Sequence, residues 1–294
     1  MAKKKSNETE QTELNLGGEE SSTEAAGAGL ETGKVGSLVV VGTGIKAVGQ
    51  LTLEAMAWMK RADTLLYVVG DPIAEEIIKR CNPDAVSLAT YYQEGMSRIH
   101  TYNAMIEHIL GCVRNGEMTV GAFYGHPGVF AYPSHESIRR ARAEGYSAKM
   151  LPGISAEDCL FADLGVDPAV SGCQSYEATD FLFNNPVVDS SSQLILWQIG
   201  TLGDWTFQTR QYDTRAMPLL VQRLSQYYPL EHPVVLYEAA TLPNVEHNSS
   251  QIPLGYLSNV PVTSAMTLYI PPARTRQPDQ NFMQSFTAMG GKMG

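Results

Sequence analysis

The sequence predicts an α/β fold in two halves, and three observations carry that prediction. Strand-like runs alternate with helical runs from residue 37 onward. Pro152-Gly153 interrupts the alternation near its middle. The composition, 44% hydrophobic and 18% charged over 294 residues, supplies a core for one or two domains and excludes a wholly disordered chain. A net charge of −10 argues against nonspecific nucleic-acid binding, which needs a basic face. Cys81, Cys112, Cys159 and Cys173 form no C-x-x-C pair, so reduced thiols in a cytoplasmic protein are expected. No apolar stretch approaches the roughly 20 residues of a membrane helix, and Lys3–Lys5 lead into polar residues rather than a signal region.

Residues 1–36 contain no aromatic residue and are rich in Glu, Ser, Thr, Gly and Ala, which predicts a disordered acidic tail. Order begins at Ser37. Leu38–Val41 is short and β-branched, and Gly42-Thr43-Gly44 ends it: a buried strand. Leu51, Leu53, Ala55, Met56 and Met59 give Gln50–Arg61 the spacing of an amphipathic helix. Thr64–Val69 reads as a second strand stopped by Gly70-Asp71-Pro72. Helices follow over Ile73–Arg80 and Ser97–Arg114, a strand over Met118–Tyr124, and a helix over His135–Glu144. This alternation predicts a mostly parallel, helix-covered sheet. Ala148–Leu151 closes the first half, residues 37–150. The second, residues 151–272, repeats the logic with a helix over Ile154–Leu164, a strand over Gln193–Ile199 and a helix over Leu219–Tyr227. Strands over Pro233–Tyr237 and Met266–Ile270 complete it. Residues 273–294 read as a mobile tail.

Several segments could carry chemistry. Gly42-x-Gly44-x-x-Ala47, with Asp71 after the second strand, is the coarse dinucleotide fingerprint; the plainer reading is a tight turn that needs glycine. Phe123–Phe130 follows a strand and has two glycines around a proline, making a loop whose backbone can approach a ligand. His126 within it has no second His or Cys at ligand spacing, so no metal is expected. Ser155 and Asp158 have capping-box spacing. Arg98 and Tyr102 stand four apart on a helix and share a face. A guanidinium beside a phenol lowers the phenol's pKa from about 10 and yields a base next to a permanent cation. A Tyr/Arg surface at a subunit contact is the equal alternative.

Taken together, these segments resemble the borosin peptide-backbone α-N-methyltransferases of the tetrapyrrole-methylase superfamily. The strings are GSLVVVGTGI, YYQEGMSRIHTY, FYGHPGVFAYPSH, MLPGISAEDCLFADLGVDP, YEATDFL, HPVVLYEAA and TLYIPP, in order across residues 36–272. The resemblance implies two α/β domains with S-adenosylmethionine in the cleft between them, flanked by disordered tails. It implies methyl transfer onto backbone amide nitrogens of a precursor peptide, without metal, leaving S-adenosylhomocysteine. Carried across by position, the donor would meet Tyr124, His126, Val129, Phe130, Ser155, Ala156, Gln198, Ala239, Met266 and Thr267, several through backbone. Tyr92, Arg98, Tyr102 and Tyr124 would form the catalytic set. A homodimer is implied, which with two precursors would make a heterotetramer.

Two departures stand out. The family's first active-site tyrosine falls on Ala89. If residues 89–91 are extended, Tyr91 shares the direction of residue 89 and partly fills its place. Fused relatives also continue past the last strand, so a separate precursor, supplied in trans, is expected. The competing readings are a tetrapyrrole C-methyltransferase and a catalytically weak scaffold that binds a precursor, the latter resting on Ala89.

Overall fold

The computed structural model describes residues 35–209 and 212–292. The expected acidic tail falls almost wholly outside the described residues.

The first half contains β1 (Ser37–Gly42), α1 (Ala47–Gln50, a single turn), α2 (Leu53–Arg61), β2 (Thr64–Val68), α3 (Pro72–Cys81), β3 (Val86–Ser87), α4 (Arg98–Arg114), β4 (Met118–Phe123), α5 (Tyr132–Ala143) and β5 (Ser147–Met150). Its strands form one sheet in the order β3-β2-β4-β1-β5, every pair parallel. Such sheets are buried on both faces, which is why Leu38–Val41 is an unbroken apolar run. Leu38 and Val40 pack in one core with Met105, Ile109 and Val113 of α4 and Ile138 of α5. Val39 and Val41 point the other way, to Ala55 and Met59 of α2 and Ile78 of α3. Local chemistry sets the helix starts. Thr52 accepts the Ala55 N–H, and Asp71 the Ala74 N–H with Pro72 at the first helical position.

The second half contains α6 (Ala156–Leu164), α7 (Pro168–Ser171), β6 (Cys173–Glu177), α8 (Ala178–Asn184), β7 (Gln193–Trp197), α9 (Met217–Leu224), β8 (Pro233–Glu238), β9 (Asn248–Pro253) and β10 (Thr267–Ile270). Its sheet runs β6-β7-β10-β8-β9. Only β6–β7 is parallel; β10 enters between β7 and β8 antiparallel to both, and β9 pairs antiparallel with β8. The mostly parallel sheet expected from the sequence is therefore a property of the first half. β6 and β9 are edge strands of largely polar, partly exposed residues, and so lack the buried apolar signal. One face of this sheet packs Leu194, Leu196, Leu268 and Ile270 against α8 and α9. The other sets Ile195, Trp197, Tyr237 and Tyr269 against Leu160 of α6.

Residues 273–294, read as a mobile tail, include α10 (Gln280–Ala288), started by Asp279, which accepts the Asn281 and Phe282 N–H groups. The helix buries none of its residues. Among the described residues no helix is long and apolar enough to cross a membrane.

Candidate active site

The loops that follow β1, β4 and β5 pack on one another at the carboxyl edge of the first sheet. A Cβ on Gly42 would lie 2.2 Å from the Gly125 carbonyl oxygen, and one on Gly153 would lie 3.1 Å from both that oxygen and the Gly42 Cα. Only glycine permits this approach. The amides of the first turn are engaged: Thr43 N–H donates to Phe123 O (2.9 Å) and Gly44 N–H to Gly125 O (3.2 Å). The Ile45 and Lys46 N–H groups donate to Gln50 Oε1 at 2.8 and 2.7 Å. Asp71 is occupied as the cap of α3. The fingerprint glycines thus make a packing turn whose amides are engaged, and Oδ1 of its acid starts a helix, which is the plainer of the two readings.

Against this edge opens a cavity of about 390 Å³, the expected place for a ligand in an open α/β sheet. The first half contributes Tyr92, Tyr102, Tyr124, His126, Val129 and Phe130, the second Ser155, Ala156, Gln198, Ala239 and Thr267. These are all the residues singled out from the sequence except Arg98 and Met266. Arg98 instead lines an adjoining groove of about 560 Å³, which shares Tyr102, Phe130, Ala131 and Gln198 with the cavity. Met266 packs against the core of the second half.

Individual side chains show what each wall can do. Ser155 Oγ donates to Asp158 Oδ2 (2.8 Å) and accepts the Asp158 N–H (3.2 Å), while the Ser155 N–H reaches the same carboxylate (2.7 Å). This is a capping box, so Ser155 offers a ligand little beyond surface. His126 Nδ1 accepts the Gly128 N–H at 2.9 Å, which braces the loop. Among the described residues no group of three His, Cys, Asp or Glu side chains converges as metal ligands would. Phe130 (φ 51°) and Gln198 (φ 60°) hold left-handed backbone conformations that non-glycine residues enter at a cost, and both sit where cavity and groove meet.

The tyrosines differ from expectation. Ala89 lies not in an extended segment but in a 3₁₀ turn over Leu88–Tyr91, where it is exposed. Side chains three apart align in such a turn, so residue 89 lines up with Tyr92 and not with Tyr91. The Tyr91 hydroxyl is turned to His108 Nδ1 (3.0 Å), and the residue does not line the cavity. Tyr92 stacks on Phe207 with ring centres 4.6 Å apart. Burial, then the neighbouring Tyr102, pushes the Tyr92 phenol well above the ordinary range. Arg98 pulls in the opposite direction but is outweighed. Tyr92 is a neutral hydrogen-bond donor, not a ready phenolate. Tyr124, though 42% exposed, is raised to about 12 by partial desolvation in the cavity wall and by the nearby Cys159, Asp71 and Glu238.

Glu157, Glu238 and Trp197 also line the cavity and were not singled out from the sequence. Glu238 and Trp197 each end a strand, immediately before a residue that was, and strand ends were the available signal.

A parallel sheet joined to a mixed one, with a ligand-sized cleft at its strand ends, defines a two-lobed α/β protein with a small-molecule site. The chain belongs to the tetrapyrrole (corrin/porphyrin) methylases, whose family model matches residues 37–251. It is 46% identical over 243 residues to the methyltransferase/ribosomally synthesized cyclic peptide dendrothelin A precursor of Dendrothele bispora, covering 81% of this chain and 58% of the relative. It is 42% identical over 245 residues to a methyltransferase/ribosomally synthesized type I borosin cyclic peptide precursor of Coprinopsis marcescibilis, covering 81% of this chain and 63% of the relative. The chain thus spans about three fifths of the length of these curated relatives. Among solved structures it resembles a uroporphyrin-III-C-methyltransferase of Thermus thermophilus, with TM-score 0.58, 16% identity, and 84% and 99% of the two chains covered. That likeness is one of fold.

Proposed function

We propose that this chain transfers methyl groups from S-adenosylmethionine to backbone amide nitrogens of a peptide. The observation that carries the reading is the junction of the two spaces. Tyr92 lines the cavity, Arg98 the groove, and Tyr102 both. The relatives' names, which join a methyltransferase to a cyclic-peptide precursor, support the same substrate class.

The cavity suits the donor. Phe123, Val129, Ala156 and Trp197 offer apolar walls, Glu157 and Glu238 offer carboxylates for hydroxyl and ammonium groups, and its volume of about 390 Å³ falls in the ordinary range for small-ligand sites. Tyr124, His126, Val129, Phe130, Ser155, Ala156, Gln198, Ala239 and Thr267 would hold it. When bound, the donor supplies a sulfonium methyl already activated for displacement.

The difficulty lies with the acceptor. An amide lone pair is delocalised into its carbonyl, so the nitrogen must lose its proton as the new N–C bond forms. Arg98 stabilises the charge that then develops on the amide oxygen, and the neutral Tyr92 phenol donates a hydrogen bond to the same region. Tyr102, which faces both spaces, takes the amide proton on its phenol oxygen as its own phenol proton passes to solvent through the groove.

Calorimetry with S-adenosylmethionine and S-adenosylhomocysteine, with and without chelator, tests the cavity, and binding of both under both conditions is expected. Incubation with a pool of synthetic peptides, and separately with uroporphyrinogen III, tests the acceptor. Methyl gain by peptides alone is expected; methylation of the macrocycle alone would overturn the reading.

A further inference from the structure

We infer that Tyr212 is a positioning residue that holds the Arg98 guanidinium at the acceptor groove without neutralising it. The inference rests on the role proposed for Arg98. The chain segment 94–98 is tied to segment 205–209 by backbone bonds: Gly95 N–H to Phe207 O (2.8 Å), Phe207 N–H to Met96 O (2.9 Å) and Arg98 N–H to Trp205 O (2.9 Å). Arg98 Nε donates to Thr206 O at 3.1 Å. The guanidinium carbon then stands 5.2 Å from the centre of the Tyr212 ring. That ring is anchored in turn, its hydroxyl accepting the Gln208 N–H at 3.1 Å. One loop of the second half therefore supplies a carbonyl and an aromatic face to a cation of the first.

The choice of partners has a chemical consequence. Among the described residues no carboxylate forms an ion pair with Arg98, although other arginines, such as Arg114 and Arg140, are paired. The two acids that line the groove are engaged elsewhere: Asp204 Oδ1 accepts the Thr206 N–H (2.8 Å) and hydroxyl (2.6 Å), and Glu177 Oε2 accepts the Asp180 N–H (2.7 Å). A carboxylate partner would fix the guanidinium but cancel its field at an oxygen that becomes negative. An aromatic face attracts a cation through its quadrupole and leaves the net charge intact. A positive charge left uncancelled and held in place is what electrostatic stabilisation of an anionic transition state needs.

The test compares Tyr212→Phe, Tyr212→Leu and Tyr212→Glu with the parent, using the peptide most methylated in the pool assay. Tyr212→Phe keeps the ring, and kcat within about threefold of the parent is expected. Tyr212→Leu loses it, and kcat should fall by about tenfold to a hundredfold, as for a displaced catalytic group, with KM and S-adenosylmethionine affinity little changed. Tyr212→Glu holds the cation by an ion pair yet should be as slow as Tyr212→Leu, because it neutralises the charge. In the folded protein the Arg98 Nε–H resonance, identified by Arg98→Lys, should lose its ring-current shift in Tyr212→Leu and keep it in Tyr212→Phe. Parental kcat in Tyr212→Leu, or in Tyr212→Glu, while Arg98→Ala is inactive would overturn the inference. Parental activity in Arg98→Ala would instead overturn the proposed site.

Discussion

Arg98, Tyr102 and Tyr92 come from one stretch of chain yet occupy different surroundings, and the separate roles proposed for them follow from that. Arg98→Ala and Tyr102→Phe should each lower the methyl-transfer rate by about 10²–10³ while leaving S-adenosylmethionine affinity unchanged, because both act on the amide. Single-turnover kinetics with parallel calorimetry checks this. Ala89 is exposed in the 3₁₀ turn and in line with Tyr92. Ala89→Tyr should therefore add a phenol on the Tyr92 side, raise kcat, and change stability by no more than about 0.5 kcal/mol. An unchanged rate would show that the existing phenols suffice. The shared face of Arg98 and Tyr102 was legible in the sequence, because four-residue spacing on a helix determines it. Residue 89's direction was not, since a 3₁₀ turn and an extended segment share the same short composition. Tyr212 and Phe207 were also hidden: they meet Arg98 and Tyr92 only through the pairing of segments about a hundred residues apart.

Loop packing is the element-scale counterpart. Gly42→Ala forces a methyl to 2.2 Å from the Gly125 carbonyl oxygen and 2.8 Å from Pro127 Cδ. An overpacked contact between backbones costs about 1–3 kcal/mol, so a lower Tm and weakened cofactor binding are expected together. Gly111→Ala is the contrast, since a Cβ there meets nothing within 4 Å inside α4. It should stabilise by about 0.5–1 kcal/mol, the helix-propensity difference, with binding unaffected. Thermal unfolding of the two variants side by side decides. The parallel first sheet was legible because both-face burial writes continuous apolar strands between amphipathic helices, as at Leu38–Val41 and Thr64–Val68. The second was read only in part. β10 inserts between β7 and β8 through contacts far apart in sequence, and β6 and β9 are edge strands with polar residues such as Gln174, Ser249 and Ser250. The Ser155–Asp158 capping box was legible for the opposite reason, being entirely local.

The molecule as a whole carries several phenols raised above their ordinary value, among them the fully buried Tyr228 at about 12 and Tyr237 higher still. Each keeps its proton in the folded state at a pH where the unfolded chain has lost it. The unfolded state thus binds fewer protons above about pH 10, and stability falls as pH rises. The phenols' contribution is complete below about pH 10 and declines as pH climbs through about 12. Thermal unfolding from pH 8 to 12 should show a Tm that declines only over the alkaline part of that range; a flat profile would contradict the raised values.

The two halves matter to function because their walls face one cavity, and the claim that stands or falls on this is peptide-backbone methylation. The most direct measurement is total acid hydrolysis of a peptide incubated with the protein and isotopically labelled S-adenosylmethionine, followed by chromatography against N-methyl amino acid standards. Label in N-methyl amino acids, lost in Arg98→Ala, is the predicted result. Label confined to side chains or terminal groups, or present equally in Arg98→Ala, would contradict it.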